Sequence, residues 1–547
     1  MPTNGDDQIV GTPGPDSIDA LAGTDFVEGG DGNDTIFGGN DDVPDYLFGG
    51  NGDDSLSAGN GGSQLSGGFG DDTLVGGDGS DELWGDEGNN LIQGGAGVDV
   101  IFSQGTFDTI DGGADWDVLF LGQTFTDPMI VDLRQGFARA GDGSWQVVLA
   151  NVESIRTNNG NDSIVGDAAD NVLISGLGRD TVFGGGGNDS ISGEGGRFFG
   201  QGGDDDISGG GYLSGGSGND TLDGLGGDET VDGGDGNDRI SDRANAMVDF
   251  FYGGDGLDTL VVDRGVLVVD LGNETASAFG ATDEIHDFEN VVVATTGHAT
   301  IFGSDAANAV SASQGEITVH GLGGDDTIIG DYGNDHLFGG NGDDALDGGS
   351  GADLILGSAG NDSLDGQGDA DTLIGGSWSD TVHGGDGDDV LQLGLGNDWG
   401  WGGNGNDTIE GGEANDRTFG GVGDDRLDGG AGNDTLAGGA GADTLSGGGG
   451  LDAFAVWAPG NSVLGTSDTI TDFATGVDKI VLTALHIDMF IAGATFTGGD
   501  GVIEARFDST IHQLQADLND DGAFGAGDLQ INFTGSSTDV VAGDLLL

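Results

Sequence analysis

Single apolar residues recur at a fixed step of nine among glycine and polar residues. From Gly321 the chain reads GLGGDDTII, GDYGNDHLF, GGNGDDALD, GGSGADLIL, GSAGNDSLD, and the step continues without a slip to Ala455. The eighth position is usually aliphatic, as in Ile328, Leu337, Leu346, Ile355 and Leu364, with Gly400 and Thr418 as exceptions. Six residues of Gly, Asn and Asp favour positive φ and turns. The remaining x-U-x triplet suits a short strand with U pointing to one side. Turn, strand, turn, strand then closes one coil every 18 residues. The fold expected is all-β: a right-handed parallel β-roll, or β-solenoid, whose eighth positions fill a narrow core from both sheets.

The frame defines the expected domains. Residues 2–118 form a first roll block, with a two-residue slip after position 38 and weak turns at Val43, Ser63 and Asn90. Residues 157–260 form a second, irregular block, in which the shortened units GEGGRFF and GGGYLS predict a pinch or bulge. Residues 321–455 form a third block of fifteen unbroken repeats. Between them, 119–156 and 261–320 each carry an apolar strand, a V-D-L strand and a polar hairpin, and read as extended β inserts. Past 455 glycine thins out, and 456–547 reads as a capping β domain.

Composition alone points elsewhere. Ninety-eight acidic residues against 12 basic ones give a net charge of −86, and 121 residues are glycine. Those values describe a disordered polyanion, and only the period opposes that reading. The charge makes nucleic acid a poor partner. The absence of cysteine removes disulfides and thiolate chemistry. No apolar run is long enough for a membrane-spanning helix, and Met1-Pro2-Thr3-Asn4-Gly5-Asp6-Asp7 lacks the features of a secretory leader.

Position six carries the chemistry. It is Asp in every unit of the third block: Asp326, Asp335, Asp344, Asp353, Asp362, Asp371, Asp380, Asp389, Asp398, Asp407, Asp416, Asp425, Asp434, Asp443 and Asp452. The first block adds Asp7, Asp16, Asp25, Asp34, Asp54, Asp72, Asp81 and Asp99, and the second Asp162, Asp180, Asp189, Asp205, Asp220, Asp238 and Asp258. In a coil of this period, each Asp stacks on the one 18 residues later, about 4.8 Å away. Two carboxylates at that spacing repel by about 3–4 kcal/mol at an effective dielectric of about 20. Summed over the stack, this exceeds a domain's net stability of about 5–15 kcal/mol. A hard divalent cation between each pair reverses the sign. Carboxylates and turn carbonyls are the ligands calcium prefers, and magnesium, which keeps its waters, suits them less. Calcium in many copies is therefore the expected cofactor, with these aspartates as metal ligands.

The nonapeptide G-G-x-G-x-D-x-U-x, clean at Gly402-Gly403-Asn404-Gly405-Asn406-Asp407-Thr408-Ile409 and at Gly429 to Leu436, resembles the repeat of the RTX family, the hemolysin-type calcium-binding proteins. The resemblance implies a calcium-filled β-roll in which loop carbonyls from the first four repeat positions join the aspartates. The chain after Gly450 resembles the C-terminal domain of serralysin-type secreted proteins. The final Asp544-Leu545-Leu546-Leu547 resembles that group's terminal signal. The resemblance implies type I secretion, with that apparatus as a partner, an unfolded chain in calcium-poor cytosol and folding outside the cell. One further stretch, Asp517 to Asp528, has EF-hand-like ligand spacing without evident flanking helices. In serralysin-type domains a similar segment is a β-hairpin.

No enzyme site is evident. None of the seven histidines lies in H-E-x-x-H, no serine has glycine at both −2 and +2, and lysine acylation has only Lys479 to act on. Exposed columns are expected at Phe338, Leu356 and Ile374 on one face and at Trp399, Trp401 and Phe419 on the other. Either another segment covers them, or they meet a second molecule or a cell-surface glycan. Two functions follow from different classes. The first is a secreted calcium-dependent structural or adhesive protein of the bacterial surface or matrix, including a surface lattice. The alternative is a secreted enzyme with its site in an insert.

Overall fold

The computed structural model describes residues 2–104, 107–122, 127–243, 248–263, 266–278, 281–294, 297–455, 467–481, 489–490, 504–508, 511–517, 529–534, 540 and 544–546. They contain strands and turns and no α-helix. The chain divides into two units, Met1–Leu260 with Ala281–Phe288, and Val261–Gly280 with Glu289–Leu547.

In the first unit, successive strands alternate between two parallel sheets, so each pairs with the strand one coil away. Tyr46–Asn51 pairs in parallel with Gln64–Phe69, Leu47 opposite Leu65. Ser55–Gly59 pairs likewise with Thr73–Gly77 in the other sheet. The core between the sheets is one residue wide on each side: Leu47, Leu56, Leu65, Leu74, Leu83 and Ile92 are fully buried. Most strands need only one large apolar side chain pointing inward, which is why a chain with so few apolar residues still builds a core.

The second unit repeats this plan. Leu354–Ala359 pairs in parallel with Thr372–Ser377, Ile355 opposite Leu373, and Ser363–Gly368 pairs with Thr381–Asp386. The two exceptions at position eight sit in one column, Val382–Gly400–Thr418–Leu436. The space left by Gly400 is filled from position one, where Leu393 is fully buried and its methyls would lie 3.0 Å from a β-carbon on Gly400.

The irregular block neither bulges nor breaks register. Coils there take 16 residues from Asp189 to Asp205 and 15 from Asp205 to Asp220. Val182, Phe198 and Leu213 still fall opposite one another in the sheet and are fully buried. The missing residues come out of the turns. The 119–156 insert forms an antiparallel meander of Met129–Asp132, Phe137–Ala140 and Gln146–Ala150. Its outer strands pair in parallel with Ser163–Val165 and Thr109–Ala114. In the second unit, Val266–Asp270 and Thr275–Ala278 form the corresponding hairpin, and Val266–Asp270 pairs in parallel with His298–Phe302.

The coil continues past 455. Asp468–Ile470 and Lys479–Val481 pair in parallel with the last strands of the repeat block. Beyond them Glu504–Asp508, Gln513–Asp517 and Leu529–Phe533 form an antiparallel meander. Phe454, Phe473, Phe533 and Phe507 pack there with successive ring centroids 5.4–6.1 Å apart. The EF-hand-like stretch lies between two antiparallel strands, and its residues 518–528 are outside the described residues.

Candidate calcium ladder

Most turns are shaped by glycine where a side chain would clash. Gly375 at position one packs so closely that a β-carbon would meet Asp380 Oδ2 and the Leu393 carbonyl oxygen, each at 2.6 Å. Gly342 at position four has φ of +131° and abuts the turn 18 residues earlier. A side chain at either point would have to displace the neighbouring turn.

This packing aims the position-six carboxylate along the stack. Oδ1 accepts the backbone N–H of the Asp one coil earlier: Asp353 N–H donates to Asp371 at 2.7 Å, and Asp371 N–H to Asp389 at 2.8 Å. The same bond links Asp326 to Asp344, Asp344 to Asp362 and Asp380 to Asp398. Of the thirty aspartates assigned from sequence, all but Asp7 and Asp16 are buried; those two are half-exposed in the first described coil. The ladder therefore gathers them as the repeat predicts, along the turn edges and not into one pocket.

Oδ2 has a different fate. For every ladder aspartate from Asp326 to Asp443, it is buried without a hydrogen-bond partner among the described residues. Leaving a charged oxygen so placed is costly. Burial accordingly pushes the carboxyls up, Asp326, Asp335, Asp380, Asp416 and Asp425 to about 7 and Asp371 to about 8. For Asp371, hydrogen bonding from Asp353 N–H opposes the rise, and the charges of Asp353, Asp389 and Asp369 add to it.

An orphaned, buried anionic oxygen beside a glycine carbonyl fits a hard cation. Among the described residues no three His, Asp or Glu side chains converge. A cation must therefore combine carboxylate Oδ2 with turn carbonyls, an all-oxygen set that suits calcium. Calcium held there supplies positive charge where the fold has concentrated negative charge. The position-five residues provide no such site. Their ladder is exposed and runs the other way, Asn361 N–H donating to Asp343 Oδ1 at 2.7 Å, and this bond holds the Asp343 carboxyl below its ordinary range.

Several ladder members lie beyond the aspartates assigned from the repeat. Asp45, not Val43, stands in the column, because the two-residue slip falls inside that turn; it accepts Asp25 N–H at 2.9 Å. Ser63, Asn90, Asn171 and Asn308 are buried and occupy the same column positions. Ser63 and Asn90 accept the N–H of Asp45 and Asp72. Asp117 continues the column from Asp99, and Glu153 accepts Asp117 N–H at 2.9 Å across the first insert. Asp249 accepts from Glu229, and Asp283 accepts from Asp249. Asp468 and Asp478 extend the columns from Asp443 and Asp452. A search for any short oxygen acceptor just before an x-U-x triplet would have found most of these.

Stacked turns of this composition define a class, the parallel β-rolls that hold divalent cations between their coils. The family model for the RTX calcium-binding nonapeptide repeat matches residues 2–36, 22–43, 44–65, 66–101, 93–123, 156–191, 212–240, 320–355, 347–377, 379–400, 393–427 and 419–453. Together these segments cover more than half of the chain, which belongs to the RTX calcium-binding repeat family. No curated protein is significantly similar to it.

Among the outer columns, His320 stacks between Phe302 and Phe338 at 5.0 and 4.7 Å. On the other face Phe419, Ala437 and Ala455 are buried, with Trp401 and Val481 packed against them. Asp544, the acidic residue of the terminal motif, is buried. It lies 3.7 Å from the Lys479 ammonium and accepts Gly476 N–H at 3.0 Å, while Leu545–Leu546 pairs with Ile480 and Val481.

Proposed function

We propose that the protein is a secreted, calcium-dependent structural or adhesive component of the bacterial surface or matrix, and that it is not an enzyme. The observation that carries this reading is the ladder of buried, orphaned carboxylates, unbroken from Asp326 to Asp443. It commits most of the chain to a scaffold that cannot hold its charge without cations. Calcium-poor cytosol keeps such a chain unfolded, and calcium outside the cell folds it. Type I export suits this order, because Asp544 and Leu545 are buried once the coil has formed. Flat solenoid faces and long repeat arrays favour lateral assembly or contact with surface glycans. Expression beside a type I exporter tests the routing. The intact chain is expected in the medium or on the cell surface, and Asp544→Ala with Leu545→Ala is expected to remain inside. Equal export of both chains rejects the route. Light scattering of the calcium-loaded protein tests the scaffold role: growth in mass after compaction supports it, and a permanent monomer opposes it.

A further inference from the structure

The outer face of the first unit holds a groove apart from the calcium ladder. Ser154–Arg156, Val172–Ile174 and Ser190–Ser192 are strands of three residues, where a regular strand such as Gln64–Phe69 has six. After each, the glycine pair that follows most strands is replaced: Thr157-Asn158, Ser175-Gly176 and Gly193-Glu194. The chain leaves the sheet early, and two adjoining clefts open, of about 270 and about 330 Å³. They share Arg156, Asn159 and Gly176.

Arg156 is exposed in this groove, and its guanidinium lies over the Phe120 ring, 5.9 Å from the centroid. Among the described residues it has no carboxylate partner, although the chain carries a net charge of −86. Phe120 ends a stacked column with Phe102 and Trp84, at 4.8 and 5.0 Å. Further along, Ile174 is half-buried, and Leu177 and Leu225 are 44% and 46% exposed. Asn159, Ser192 and Ser208 line the clefts with polar side chains, and Glu194 adds a carboxylate to the second cleft.

We propose that this groove binds a short carboxylate-bearing saccharide. Arg156 takes the uronate carboxylate, held in plane by Phe120. The apolar side chains take the C–H faces of the sugar rings. Asn159, the two serines and Glu194 meet the ring hydroxyls, which can both donate and accept. An acidic peptide shares the carboxylate but fits less well. Strands flank each of the three on both sides within the sheet, so an extended backbone finds no edge to pair with. The surrounding negative charge repels a dense polyanion, so the ligand is a sugar with spaced carboxylates.

The test is calorimetric titration of the full, calcium-loaded chain with a hyaluronan hexasaccharide, in which glucuronate alternates with N-acetylglucosamine. Its carboxyl-reduced form and a hexaglutamate peptide are the comparisons. Binding of the acidic sugar alone is expected. Arg156→Gln weakens it about tenfold or more, the loss of one charge-assisted contact; Arg156→Lys retains part of it, Asn159→Ala weakens it, and Arg417→Gln leaves it unchanged. Circular dichroism in calcium confirms that each variant folds. No binding of the hexasaccharide, equal binding of the reduced sugar or the peptide, or an Arg156→Gln variant that binds like the parent overturns the proposal.

Discussion

Replacing Asp389 by Asn separates the two duties of a ladder carboxylate. Oδ1 accepts Asp371 N–H at 2.8 Å, and Oδ2 is buried without a hydrogen-bond partner among the described residues. Asparagine preserves the acceptor and nearly the shape, and removes the charge. In chelator this deletes repulsion with the neighbours at Asp371 and Asp407, at most about 3–4 kcal/mol for each ionised pair at strand spacing. In calcium the same change deletes an anionic ligand, and the cation there is held less tightly. The substitution is therefore stabilising in chelator at pH 8 and destabilising in calcium. Asp389→Ala removes the same charge but also strands a buried N–H, and is less stable than Asp389→Asn by about 1–3 kcal/mol under both conditions. Thermal unfolding in calcium and in chelator, with calorimetric calcium counts, measures all three chains. An Asn variant with the same sign of effect in both conditions, or with unchanged calcium binding, refutes the reasoning.

Three further outcomes are expected. Without calcium, the ladder carboxyls titrate higher in the coil than in the unfolded chain, from an ordinary 3.8 to about 6 for Asp362, about 7 for Asp425 and about 8 for Asp371. The coil then binds the extra protons, so its stability is fully present below about pH 4 and is lost as pH rises through 6 to 8; circular dichroism in chelator should show β structure gained on acidification, and a coil equally stable at pH 5 and pH 8 contradicts this. Leu393→Ala should cost about 2–5 kcal/mol, as a buried leucine does, and Gly400→Val should recover part of the loss in the double variant but not alone; additive losses contradict mutual filling. Asp544→Asn should accelerate hydrogen exchange at Ile480 and Val481 while leaving the Leu373 amide protected, and uniform acceleration contradicts a local role for the Lys479 contact.

The regular block was legible because its period is also its geometry. A fixed step of nine places Ile355 opposite Leu373 and Asp353 before Asp371 with no further information. Legibility fails where geometry is conserved but residue type or spacing is not. Asn90 and Ser63 hold the ladder bond with a neutral oxygen, since capping an N–H needs an acceptor and not a charge. Glu153 meets Asp117 N–H although 36 residues separate them, because the insert folds into its own meander between the two. The pinch expected near 193–215 is absorbed by turns, which tolerate deletion better than the paired strands do. Leu393 compensates Gly400 from a position the repeat reserves for glycine, a contact visible only once both sheets face each other. The groove at Arg156 was hidden for a related reason: it is formed by three strands ending early, and no single residue marks it.

The central claim is that cations between stacked aspartates hold the coil together. The most direct test is a calcium titration from chelator at pH 8, recording bound calcium and hydrodynamic radius on the same sample. The account predicts an expanded chain that contracts cooperatively as many ions bind, with radius and occupancy changing together. A chain already compact in chelator, or one that binds calcium without contracting, would contradict it.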